Sequence, residues 1–281
     1  MMGKFDDKVV VITGGARGQG RSHARALAAE GARIALWDLA NGQNARPPYR
    51  MASAEDMAET VRLVEQVGGK VLPVAFDLRD GDAVQAAVAS TVETFGGIDY
   101  LVAQQGAMPL TTETWNTTEE HWNDIIAVNL TASFLACKYV IPEIIKRGPG
   151  GAIVLTSSTA GLNTFPWLTC YGAAKHGVLG LGKGLANELG PYGIRVNMVC
   201  PGAVDTPMVD SFAESNGLRK EDMWKQFDGA DLLNGGLVKA EESTTPAIVY
   251  LLSDDAKWVT GHTMVVDAGA SIKPNAGNVA S

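Results

Sequence analysis

The sequence lacks the features that mark several large classes of protein. It has only three cysteines in 281 residues, Cys137, Cys170 and Cys200. Odd in number and widely spaced, they suit neither a disulfide framework nor a zinc site. Four histidines, His23, His121, His176 and His262, show no metal-ligand spacing, so no metal is expected. There is no Lys/Arg run, and 31 acidic residues against 23 basic ones leave a net charge of −8. Such a surface repels nucleic-acid phosphates and anionic lipid headgroups, so neither partner is expected. No apolar run approaches the roughly 18 residues of a membrane span. Near the start, Asp6, Asp7 and Lys8 stand directly before a short apolar run, and no small-residue cleavage site follows a long one. The expectation is a cytoplasmic protein. Charged residues make up only 19% of the chain, while 46% is hydrophobic, enough to fill a packed core.

What is present is a rhythm. Short β-branched runs at residues 8–13, 33–38, 70–76, 99–103, 151–157, 194–200 and 262–266 alternate with helical patterns near 18–30, 54–67, 81–95, 118–146, 171–189 and 242–252. Most of the runs are nearly continuously apolar, as strands are when helices cover both faces of a parallel sheet. The alternation predicts an α/β fold with a doubly wound, seven-stranded sheet. No Pro/Ser-rich linker or internal repeat divides the chain, so residues 1–281 read as one domain. Two segments break the rhythm. Residues 40–53, with Gly42, Pro47 and Pro48, read as an inserted loop. Residues 205–240, mixing Phe212, Met223, Trp224 and Phe227 with charges and Gly235-Gly236, read as a partly helical substrate flap.

The first run ends in TGGARGQG (residues 13–20), and a helix pattern starts at once. Gly14, Gly18 and Gly20 allow a tight turn and close backbone approach, so helix N-terminal amides can face a pyrophosphate. Asp38 ends the second strand 18 residues after Gly20, where its carboxylate can accept from an adenosine ribose. Its charge would oppose a 2′-phosphate, which favours NAD over NADP; Arg17 argues mildly the other way.

Farther along, Ser158 ends the fifth strand and Tyr171 and Lys175 stand at i and i+4 on one helical face. A free phenol has a pKa of about 10, so acid/base work near neutrality requires a stabilised anion, which a nearby ammonium is expected to supply. Candidate pocket walls are Met108, Leu162, Trp167, Phe212 and Trp224. The helix at 171–189 carries Gly172, Gly177, Gly180, Gly182 and Gly184, each costing roughly 1 kcal/mol relative to Ala. A helix so burdened is expected to pack closely on its own sheet on one side and on a partner subunit on the other.

Taken together, the Thr13 to Gly20 turn, Asp77, Asn129 in IIAVNL, Ser158 with Tyr171 and Lys175, Pro201-Gly202 with Thr206, and the closing VTGHTMVVDAG resemble the short-chain dehydrogenase/reductase family over almost the full length. The resemblance implies a Rossmann fold of strand order 3-2-1-4-5-6-7, a homotetramer, and NAD(P)-dependent oxidoreduction of a small-molecule alcohol or ketone. It assigns Tyr171 as general acid/base, Lys175 as its partner and a ribose ligand, Ser158 as substrate orienter and Asn129 as anchor of a proton-relay water. To the cofactor it assigns Gly14, Arg17, Gly18, Gln19, Gly20, Asp38, Leu39, Asp77, Leu78, Gln105, Gly106, Tyr171, Lys175, Pro201, Gly202, Val204 and Thr206. ARGQGRSHA (residues 16–24), the insertion after Asp38 and VVDAGASIK (residues 265–273) are similar to the NAD-dependent, mycofactocin-linked carveol-dehydrogenase-like branch, whose members act on secondary alcohols that are often terpenoid. One departure stands out. The family's Asn-Asn-Ala-Gly is here Ala103-Gln104-Gln105-Gly106, and Gln105 is expected to crowd the cofactor or to mark a rebuilt loop. That departure keeps open a dinucleotide-sensing or scaffold protein with little turnover. An NADPH-dependent carbonyl reductase is the other alternative, and Asp38 disfavours it.

Overall fold

A computed structural model describes residues 3–41, 44–45, 49–219, 221–222, 225, 230–233 and 236–273. Seven strands, β1 (Val9–Thr13), β2 (Arg33–Asp38), β3 (Lys70–Ala75), β4 (Tyr100–Ala103), β5 (Ala152–Thr156), β6 (Arg195–Pro201) and β7 (Thr263–Val266), form one sheet. All neighbours are parallel, in the order β3-β2-β1-β4-β5-β6-β7. Pro73, which cannot donate to a ladder, sits in the edge strand β3.

Helices cover both faces. α1 (Gly18–Ala29), α2 (Ala54–Gln66) and α8 (Thr244–Leu252) enclose one core around Ile12, Leu36 and Val154. α3 (Gly81–Phe95), α5 (Ala132–Arg147) and α6 (Thr169–Leu189) enclose the other around Val11, Leu101 and Ile153. Successive side chains of a strand point to opposite faces, so two cores explain why the strands read as unbroken apolar runs.

Register places the site. Thr13 pairs with Trp37 and with Ala103, and Ala103 pairs with Leu155. The chain therefore leaves β1, β2, β4 and β5 along one line, and Gly14, Asp38, Gln104 and Thr156 emerge side by side. Ligands of open parallel sheets bind along such a carboxyl edge.

Two segments differ from expectation. The helix expected over 118–146 is built as α4 (Glu119–Ile126), a π-helical turn Ala127–Thr131 and α5. Helix 119–147 is long and apolar enough, by length and composition alone, to cross a membrane, yet here it packs on α3, α6 and the sheet. The insertion is not structureless: Asn44–Ala45 and Tyr49–Arg50 pair as a two-stranded antiparallel ribbon, and the second of these strands meets α7 (Pro207–Ser215) of the flap. Gly42, Pro47, Pro48, Met223, Trp224, Phe227 and Gly235 lie outside the described residues.

Candidate active site

The glycine turn is closed on itself. Gly14 and Gly18 hold φ of +63° and +55°, the left-handed region that favours glycine. A Cβ on Gly14 would stand 2.7 Å from the Gln105 Cα, and one on Gly20 would strike the Gly14 carbonyl. The Asp38 carboxylate braces the turn from below, accepting from the Ala16 amide at 2.9 Å and the Leu39 amide at 2.8 Å. Burial pushes its pKa up, against the opposing hydrogen bonds from Ala16, Leu39 and Ala40 and the charge of Arg17. With three donors already on it, the carboxylate keeps acceptor capacity for one hydroxyl donor.

A groove runs from this turn along the carboxyl edge. It gathers Gly14, Arg17, Gly18, Gln19, Gly20, Asp38, Leu39, Asp77, Leu78, Gln105, Gly106 and Thr206 from five separate parts of the chain, with Met51 and Ala52 of the insertion. Arg17 turns to the insertion, donating to the Arg50 carbonyl.

The groove opens into a cavity of about 650 Å³ that holds Ser158, Tyr171 and Lys175 with Pro201, Gly202 and Val204. Ser158 stands two residues beyond the end of β5 and caps the next short turn, accepting from the Ala160 amide at 3.1 Å. Tyr171 lies in the first turn of α6, which begins two residues before the expected start. Lys175, one turn on, donates from Nζ to the Thr156 carbonyl at 2.9 Å and lies 5.7 Å from the Tyr171 ring centroid. Met108, Trp167 and Phe212 line the cavity as expected, whereas Leu162 packs at the edge of the core beneath α6. Phe165, Leu168 and Leu218 also line it and were missed. A usable signal was present, because the loop joining Ser158 to Tyr171 must cross the pocket that both residues face. Trp167 in that loop holds φ of +63°, strained for a bulky residue.

The electrostatics differ from the simple pairing expected. Burial pushes the Tyr171 phenol up to about 12, with the neighbouring Ser158 hydroxyl opposing. Burial likewise pushes Lys175 down to about 8. Desolvation disfavours both charged forms and outweighs the mutual attraction expected of the pair, so further positive charge is needed before the phenol ionises near neutrality.

Asn129 lines neither groove nor cavity. Fully buried in the π-helical turn, it brackets the Ala107 peptide, accepting from its N–H at 3.3 Å and donating to its carbonyl at 3.0 Å. Its own carbonyl accepts from Ser133 Oγ at 3.2 Å. Gln105, expected to crowd the cofactor or to mark a rebuilt loop, lines the groove. That side chain is buried, its Oε1 accepting from the Thr13 hydroxyl and its Nε2 donating to Ser133 Oγ at 2.8 Å. Gln104 binds Thr156 Oγ1 at 2.6 Å and His23 Nε2 at 3.2 Å. Together the two glutamines link β1, β4 and β5 to α1 and α5.

Known proteins resemble the chain over nearly its full length. The family profile described as Enoyl-(Acyl carrier protein) reductase matches residues 14–271. The chain is 35% identical over 279 residues to (-)-trans-carveol dehydrogenase of Rhodococcus erythropolis, covering 97% of this chain and 100% of that protein. It is 33% identical over 273 residues to cyclohexanol dehydrogenase of an Acinetobacter species, covering 97% and 98%. Among solved structures, carveol dehydrogenase from Mycobacterium avium in complex with NAD superimposes with a TM-score of 0.90 at 37% identity, over 96% of this chain and 100% of that one.

Proposed function

The chain belongs to the short-chain dehydrogenase/reductase family, and from that membership and the site geometry we propose that it is an NAD-dependent enzyme interconverting a secondary alcohol and a ketone on an apolar, cyclic, terpenoid-like skeleton. The observation that carries this reading is the meeting of Ser158, Tyr171 and Lys175 in an apolar cavity that shares a wall with the dinucleotide groove.

The groove fits NAD. Gly14, Gly18 and Gly20 bring bare backbone at the α1 N-terminus to the groove, where its amides can meet a pyrophosphate, and Asp38 offers acceptor capacity to a ribose while its carboxylate opposes a 2′-phosphate. When bound, NAD would supply the hydride acceptor and, in its oxidised form, positive charge that favours the phenolate. Ser158 Oγ holds the substrate oxygen, and Tyr171 Oη receives the hydroxyl proton during oxidation and returns it during reduction. The Lys175 ammonium, fixed by the Thr156 carbonyl, adds charge that favours the phenolate and can reach ribose hydroxyls. Asn129 holds the Gly106–Ala107 backbone against that lysine: a Cβ on Gly106 would stand 2.9 Å from Asn129 Oδ1 and 3.5 Å from Lys175 Nζ. Met108, Trp167 and Phe212 supply apolar walls that exclude water and suit a ring system.

A panel of acyclic and alicyclic secondary alcohols, each offered with NAD and with NADP and read by absorbance of the reduced cofactor, tests the proposal. Turnover of alicyclic alcohols with a strong preference for NAD is expected; equal or better turnover with NADP, or no turnover of any secondary alcohol, overturns it.

A further inference from the structure

The reaction cavity carries little charge. Among the described residues that line it, only Lys175 and Glu113 have ionic side chains. Lys175 is buried beside Tyr171, whereas Glu113 is exposed and so belongs to the mouth. Met108, Trp167 and Phe212 give the walls their apolar character.

Bonds on either side of Glu113 fix it there. The Thr111 amide donates to Asn216 Oδ1, at the end of α7, at 3.1 Å. The Thr112 amide donates to the Trp167 carbonyl at 3.3 Å, and the Thr114 and Thr169 hydroxyls lie 2.8 Å apart. The segment carrying Glu113 is thus tied to the flap helix and to the loop and helix that bring in Ser158 and Tyr171. Its own amide, and then Asn116 Nδ2 donating at 3.1 Å, hold the Glu113 carboxyl below the usual range, so the group is anionic at neutral pH. A charge at the mouth of a cleft with low-dielectric walls acts strongly on what enters, because such walls focus the field. Inside, the Ser158 and Tyr171 hydroxyls and the Lys175 ammonium meet in one cavity, a set of donors that suits a carboxylate as well as an alcohol oxygen. A carboxylate seated there would fill the site with no hydride to give.

We propose that Glu113 sets the charge selectivity of the cavity, disfavouring alcohols whose ring carries a carboxylate and favouring those whose ring carries an ammonium. The inference deepens the dehydrogenase reading and rests on it. With the reacting carbon held inside at Tyr171, a substituent on the far side of the ring points outward to the mouth and meets Glu113. The substrate class narrows to neutral or cationic ring alcohols, and hydroxy acids are excluded.

Steady-state kinetics with three cyclohexanols, bearing a methyl, an ammonium or a carboxylate group at C4, tests the filter. Glu113→Gln keeps the size of the side chain and an acceptor for Asn116 while removing the charge. In that variant kcat/KM for the carboxylate should rise about three- to fivefold relative to the methyl compound, and that for the ammonium should fall by a similar factor, the effect of one exposed charge. The methyl compound itself should be turned over as before. Glu113→Asp should keep both ratios near the native values, and about 1 M salt should shrink the difference between the native protein and Glu113→Gln. For a charged compound that binds without being oxidised, its inhibition constant against the methyl compound takes the place of kcat/KM. Ratios that do not change in Glu113→Gln, including a carboxylate shut out of both proteins, or ratios that move in the same direction for both charged compounds, overturn the filter and leave the dehydrogenase reading intact. Failure of the unmodified protein to oxidise the methyl compound with NAD overturns that reading, and the filter with it.

Discussion

At the scale of single residues, the site depends on buried groups whose protonation is set by desolvation. Tyr171 is the clearest case, with its phenol raised to about 12. Replacing it with Phe removes one oxygen, the proposed proton carrier, and leaves the groove lining unchanged. Tyr171→Phe is expected to lower kcat by roughly 10²- to 10⁴-fold, the usual share of a general acid/base, while NAD affinity by calorimetry is unchanged. His23 affects stability rather than chemistry. Its pKa falls from 6.5 in the unfolded chain to about 4 in the fold. Between those values the unfolded chain binds a proton that the folded protein does not, so acid favours unfolding. The stability at stake is fully present above pH 6.5 and is lost as pH falls toward 4, amounting to on the order of 3 kcal/mol. Urea midpoints measured from pH 7 to pH 4 should drop steeply in the native protein and less steeply in His23→Gln, whose amide can still donate to Gln104.

At the scale of elements, α6 shows how one helix serves two purposes. A Cβ on Gly182 would strike the Met198 sulfur, and one on Gly177 would stand 2.6 Å from the Leu130 side chain, so these glycines fit the helix to its own chain. Gly180 and Gly184 face open space within this subunit. The helix thus packs closely within its own chain on one side, as expected, and leaves small residues uncovered on another. Gly182→Ala should lower stability by about 1–3 kcal/mol through overpacking. Gly180→Ala should raise the stability of an isolated subunit by about 1 kcal/mol through helix propensity. Thermal midpoints of the two variants, moving in opposite directions, would check this. The π-helical turn at Ala127–Thr131 also acts at this scale, because it faces the Asn129 amide toward the Ala107 peptide. Its position inside a continuous helical pattern left no mark in residue periodicity.

For the whole molecule, α6 leaves Gly180 and Gly184 uncovered and packs on α4, while Trp122 of α4 and Phe134 of α5 are 39% and 47% exposed. We propose that these helices pair with their counterparts in a homotetramer. Light scattering after size exclusion should give a mass several times that of the 29.6 kDa chain, and Gly180→Leu should yield folded, smaller species. A monomer at micromolar concentration in the native protein overturns the proposal.

The sequence alone determined the sheet and which residues the proposed chemistry draws on. Continuous apolar runs follow from strands buried on both faces, and the glycine turn, Asp38 and the Tyr171–Lys175 spacing are local patterns that survive in one dimension. The tertiary structure decided what depends on several distant segments meeting. The side chains of Gln104 and Gln105 turn into the sheet because Thr13, Ser133, Thr156 and His23, far apart in sequence, supply their partners. The pKa values of Tyr171 and Lys175 follow burial from all sides rather than their spacing. Whether a given glycine of α6 is filled or open depends on which strand or helix lies opposite it. Hydrogen-bond partners, desolvation and packing space are properties of three-dimensional neighbourhoods, and a helical or strand period carries no information about them.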